Sequence, residues 1–108
     1  MVKERDQVIE ELKCFSEEIC RKLPVHKVFL FGSYATGNFR EGSDIDVGVV
    51  LDIENIEDEI AAGVELFQSS IKIDPDIEPF PISLKDFENC EPASILAEIK
   101  RHAIFIDF

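Results

Sequence analysis

Gly32 and Ser33 close an apolar run, Val28 to Phe31. Ten residues then separate Ser33 from the acidic triplet Asp44-Ile45-Asp46. Glycine has no Cβ, so the chain can turn sharply there and approach a ligand closely. Ser33 adds a hydroxyl donor, and a short helical turn over Tyr34 to Asn38 would aim backbone N–H groups at phosphate oxygens. Side chains two apart on a strand leave from the same face, which pairs Asp44 with Asp46. Two carboxylates so close raise each other's pKa unless a cation lies between them. They also interrupt the apolar segment SDIDVGVVL, where unpaired charge is costly to bury. A Gly-Ser pair alone is a common turn, and Ser43 would suit a solvated acidic turn at a strand start. In combination these residues have the makings of a metal site that holds a nucleoside triphosphate. Oxygen-only ligands favour Mg²⁺ or Mn²⁺ over zinc.

The elements that position these residues follow from the apolar pattern. Val8, Ile9, Leu12, Phe15, Ile19 and Leu23 recur at helical spacing, predicting an amphipathic helix from about Val2 to Leu23, ended by Pro24. Lys27 to Phe31 and Val47 to Leu51 are unbroken apolar strands, expected in the sheet interior with both faces covered. Asn55 suits the cap of a helix reaching about Ser70, with Ile56, Ile60, Val64 and Phe67 as its expected core stripe. A third strand is expected over Ile73 to Phe80. Pro75, Pro79 and Pro81 each remove a ladder donor, which places it at an edge or makes it irregular. Ser83 with Asp86 would open a one-turn helix, Pro92 suits the first turn of another that ends near His102, and Ala103 to Ile106 reads as a last short strand. The fold class is α/β (α+β): a small mixed sheet flanked by helices, in one domain over residues 1–108.

Composition narrows the function. The chain has 108 residues, 23 acidic against 11 basic, with a formal charge of -12. Such a surface repels phosphate backbones, so direct nucleic-acid binding is not expected, and a triphosphate must arrive with divalent cations. No apolar run approaches the ~20 residues of a membrane span, and the charged N-terminus is not a signal peptide. A cytoplasmic location is expected. Cys14, Cys20 and Cys90 form no CxxC pair and read as reduced thiols, Cys14 and Cys20 as helix packing residues. His26 and His102 lie at element ends without ligand spacing. Phe80, Phe87, Phe105 and Phe108 read as core in so short a chain, with a partner-facing surface as the alternative. Tyr34 reads as a partly exposed loop tyrosine, with stacking on a base as its alternative.

Gly32-Ser33, ten residues, then Asp44-x-Asp46 resembles the signature of the polymerase β-like nucleotidyltransferase superfamily. The longer string FGSYATGNFREGSDIDVGVV, with Ala35, Gly37, Arg40 and Ser43 in place, is similar to the minimal nucleotidyltransferases. The resemblance implies a third carboxylate from a later strand. Asp74, Asp76 and Glu78 are the candidates, and their alternation puts them on one face of a regular strand. Glu78 fits the family placement best, with Asp76 second; the alternative is that these acids solvate an edge.

The implied reaction is transfer of a nucleoside monophosphate, AMP from ATP, with Mg²⁺ (or Mn²⁺). Asp44, Asp46 and Glu78 are the expected catalytic and metal-holding residues, and Gly32, Ser33 and Arg40 the expected nucleotide-binding ones. A solvated loop is the alternative for Arg40. Larger relatives carry a further helical domain for base or acceptor, so acceptor binding is expected from another chain or a second copy. Minimal nucleotidyltransferases are typically paired with a HEPN-domain toxin, and the resemblance implies an antitoxin that modifies a tyrosine of that toxin. The competing readings are a module that neutralises its partner by contact, and an enzyme acting on a small hydroxylated molecule.

Overall fold

The two unbroken apolar segments form the middle of the sheet. In the computed structural model, which describes residues 3–108, β1 (Val25–Phe31) and β2 (Ile45–Leu51) run antiparallel at its centre. β3 (Ile77–Ser83) lies parallel to β2, and β4 (Ile104–Phe105) lies antiparallel to β1, giving the order β3-β2-β1-β4. The remaining elements are α1 (Arg5–Cys20), α2 (Ser33–Thr36), α3 (Ile56–Ile73), α4 (Leu84–Glu88) and α5 (Ile95–His102).

Alternation along the strands divides the core in two. Val28, Leu30, Val47, Val49 and Leu51 pack with Val8, Leu12, Phe15 and Ile19 of α1 and Leu66 of α3. Phe29 and Val50 take the other face, with Phe87 of α4 and Ile99 of α5. On that face the Phe29 ring lies across the backbone of Gly48, where an added Cβ would sit 2.6 Å from ring carbons. Asn55 accepts from Asp58 N–H at 2.8 Å and Ser83 from Asp86 N–H at 3.1 Å, capping α3 and α4 as expected. Among the described residues no helix is long and apolar enough to cross a membrane.

Several expectations need correction. The first helix is shorter than expected, and its expected start at Val2 lies outside the described residues. The stripe Ile56, Ile60, Val64 and Phe67 is exposed, and α3 buries Ala62, Leu66, Ser69 and Ser70 instead. With this face inward the helix packs on β3 and α1. Cys14 and Cys20 are exposed and do not pack. Phe87 is core, whereas Phe80, Phe105 and Phe108 are exposed. Helix α5 starts three residues beyond Pro92, after Ser94, whose hydroxyl accepts from Ala97 N–H at 3.1 Å.

The third strand departs most. Helix α3 continues through Ile73 and stops at Asp74, whose extended backbone (φ −161, ψ 115) is what a following proline favours. Pairing with β2 begins only at Ile77, so Asp74, Asp76 and Glu78 do not share one strand face. The Ile45 N–H donates to Asp76 C=O at 2.9 Å. By ladder parity, Glu78 and Phe80 then turn their backbones to β2, while Pro79 and Pro81 turn theirs to the free edge, where no donor is lost.

Candidate active site

Phe31 ends β1 opposite Asp46 of β2. Gly32 follows at φ 73, ψ −150, a backbone open in practice to glycine alone, and swings the chain off the sheet into α2. The Asp46 carboxylate occupies the space a side chain would need there. A Cβ on Gly32 would lie 3.2 Å from Asp46 Cγ and collide with Oδ2. The Gly-Ser turn and the second acid of the motif are therefore in contact. The first amides of α2, at Ser33 and Tyr34, have no partner within their own helix and lie beside that carboxylate's strand end.

The turn is braced from behind by residues that the sequence did not single out. Arg5 Nε donates to Tyr34 C=O at 2.8 Å, and Arg5 Nη2 to Ala35 C=O at 3.2 Å. Tyr34 is buried and stacks on Phe39 at 4.4 Å between ring centroids, so it is a packing residue and not an exposed platform for a base. Burial also raises its phenol pKa. No local signal marks Arg5, because its contacts are 29 and 30 residues away in the chain.

Across the parallel ladder, Asp46 is paired in register with Glu78. The Asp46 carboxyl pKa is raised, first by burial and then by the charges of Glu78 and Asp44. Asp44 lies just ahead of β2 and shares with Glu78, Asp76, Phe67 and Pro79 a shallow cleft of about 360 Å³. Asp76 is engaged elsewhere. Its carboxylate meets Lys3 Nζ at 3.3 Å and its N–H donates to Asp74 Oδ1 at 2.9 Å, while Lys3 also pairs with Asp74. Arg40 does not line this cleft; its N–H donates to Ser43 Oγ at 2.9 Å, closing an exposed turn just before Asp44. A larger surface depression, about 790 Å³, lies at the other end of β2 and β3 around Asp52, Asn55 and Ser83, away from all these acids.

Among the described residues, no three acidic, histidine or cysteine side chains are drawn together tightly enough to hold a metal unaided. The donor set still fits a hard divalent cation in character. It is all carboxylate oxygen, and the repulsion that raises Asp46 is what a cation would relieve.

The nucleotidyltransferase domain model matches residues 12–105, most of the chain. The chain belongs to this family. A candidate nucleotidyltransferase from Sulfolobus solfataricus has a similar crystal structure, with TM-score 0.65 and 18% identity over 94% of this chain and 81% of that one. A chain of a toxin–antitoxin crystal structure with AMP-PNP is similar at TM-score 0.59 and 19% identity, over 92% of this chain and 72% of that one. None of the curated proteins matches. At these identities the solved structures show that the nucleotidyltransferase domain has the same fold, a mixed sheet of four strands flanked by helices.

A second acidic cluster borders the cleft of this nucleotidyltransferase domain. Burial, then the neighbouring Asp74, pushes Glu11 up to about 7 from 4.5. Asp74 is itself held below its usual range: burial would raise it, but hydrogen bonds from Glu11 and Lys3 outweigh that. A folded-state pKa above the unfolded one stabilises fully below 4.5 and is lost as pH rises through about 7. We expect unfolding free energy to fall by on the order of 2 kcal/mol between about pH 5 and pH 8. In Glu11→Gln that fall should vanish in urea titrations at the two pH values; a slope equal to the wild type's would contradict the assignment.

Proposed function

We propose that the chain transfers AMP from ATP to a hydroxyl of a partner protein in the cytoplasm, and that it serves as the antitoxin of a HEPN-domain toxin by modifying a tyrosine. The observation that carries this reading is the contact of the Gly32 turn with Asp46, which is in register with Glu78 and shares the charge field of Asp44. Family membership supports the reaction class. The similar chain in the toxin–antitoxin structure with AMP-PNP supports an adenine nucleotide and a protein partner.

In this reading the Gly32 turn and the Ser33 hydroxyl hold the β- and γ-phosphates. Asp44, Asp46 and Glu78 would hold Mg²⁺, which supplies charge neutralisation across the phosphates. Glu78, exposed at the cleft, accepts the proton of the acceptor hydroxyl. The acceptor oxygen bonds to the α-phosphorus as the bond to pyrophosphate breaks, and pyrophosphate leaves in line. Positioning and charge stabilisation supply most of the acceleration in such transfers. Arg40, on its exposed turn just before Asp44, would add a phosphate contact.

The test is incubation with labelled ATP, Mg²⁺ and the protein encoded in the neighbouring reading frame, beside an Asp44→Asn, Asp46→Asn variant. Label on the partner that disappears in the variant supports transfer; partner inhibition without label sinks it and leaves neutralisation by contact. The third acid is tested separately. Glu78→Gln should lower transfer by roughly 10²-fold or more with nucleotide binding within a few-fold. Asp76→Asn, which leaves Lys3 paired with Asp74, should change transfer much less. The reverse pattern in labelled transfer and equilibrium binding would reassign the role to Asp76.

A further inference from the structure

Helix α3 is apolar on two sides. Away from the core, Ile56, Ile60, Val64, Phe67 and Ile71 are 64, 62, 53, 59 and 47% exposed. At 3.6 residues per turn they form one continuous stripe along the helix. Their exposed area is on the order of 500 Å², at the upper end of what monomers present as one patch. We propose that this stripe is the interface of a homodimer, in which α3 of one copy packs antiparallel on α3 of a second about a two-fold axis.

Three observations select a second copy as the occupant. The stripe is symmetric about the point between Gly63 and Val64: Ile56 and Ile71 are equidistant from it, and so are Ile60 and Phe67. A two-fold contact requires that if one residue meets another, the second meets the first across the axis. Antiparallel packing satisfies this, with Ile56 of each copy on Ile71 of the other and Ile60 on Phe67. Charge agrees as well. The first turn holds Glu57, Asp58 and Glu59, whereas Leu66 to Ile73 carries Lys72 and no acid. Antiparallel pairing therefore sets each acidic turn beside the other copy's Lys72. The area agrees too, since about 500 Å² from each copy reaches the ~1,000 Å² at which specific interfaces begin. The neighbouring sheet edge is a poor rival, because Pro79 and Pro81 present no donors along it.

Phe67 also lines the cleft of Asp44 and Glu78, so Ile60 of the second copy would sit at that cleft's rim. The inference rests on exposure, spacing and charge and stands whether or not the chain transfers AMP.

Sedimentation equilibrium on the full chain should give twice 12.3 kDa. Ile60→Glu and Phe67→Glu, both at exposed positions, should each give monomers with unchanged circular dichroism. Lys72→Glu should raise the dimer dissociation constant roughly threefold, and adding Glu57→Lys should restore it, as only antiparallel pairing allows. Hydroxyl-radical labelling of the unsubstituted chain provides a check free of folding effects. On dilution through the dimer transition, labelling of Ile60 and Phe67 should rise, while that of Ile95, 81% exposed, stays constant. A wild-type monomer, a dimer that survives both glutamates, or labelling that ignores dilution would each overturn the proposal.

Discussion

Asp46→Asn should reduce the proposed AMP transfer by roughly 10³-fold or more and, in the absence of divalent ions, leave the protein slightly more stable than the wild type. The two effects share a cause. Asp46 is partly buried, and Glu78 and Asp44 repel its charge. Its raised folded-state pKa means that its contribution to stability is present at low pH and is lost as the carboxyl ionises. A neutral amide of the same shape removes that penalty at neutral pH. Mg²⁺ should reverse the ranking, raising the melting temperature of the wild type and not of the variant. Labelled transfer and thermal melting with and without Mg²⁺ measure both. Transfer within tenfold of wild type would remove Asp46 from the reaction, and equal Mg²⁺ shifts would remove it from the metal.

Gly32→Ala should be nearly as damaging to transfer, about 10²-fold, and should also destabilise the fold by roughly 1–3 kcal/mol. Backbone and side chain act in the same direction here. At φ 73, ψ −150 an alanine is strained wherever its methyl points, and that methyl points at the Asp46 carboxylate. Relief requires that the turn open or the carboxylate swing away, and either separates the first amides of α2 from the acid. Combined with Asp46→Asn, the loss in transfer should be far from additive, since both changes disable one contact. A double variant with losses that simply multiply would show that the turn and the acid work independently.

The central strands and the motif between them were legible because their signals are local. Val28 to Phe31 and Val47 to Leu51 are continuous and β-rich, and Asn55 and Ser83 cap the helices that follow them. Helix α3 shows where local reading stops. Its larger apolar residues form the cleaner stripe, yet Ala62, Leu66, Ser69 and Ser70 face inward, a face with one large apolar residue that periodicity alone does not pick out. The stretch Ile73 to Asp76 alternated like a strand, but nothing before Pro75 breaks the helix, so two of the three candidate acids ended outside the sheet. Glu78, the acid that the family resemblance favours, lies in register with Asp46. Arg5 and Lys3 were invisible, since their partners lie 29 to 73 residues away in the chain.

Those two basic residues have a practical consequence. Arg5 grips the carbonyls that close the turn on one side of the cleft, and Lys3 grips Asp74 and Asp76 at the entrance to β3 on the other. Lys3, just ahead of α1, and Arg5, its first residue, thus work as a buckle across the Gly-Ser turn and the entrance to β3, the two jaws of the site. An affinity tag or fusion that unwinds this first turn would slacken both jaws with every motif residue intact, so an inactive tagged preparation would say little about the chemistry until the tag is moved to the far end.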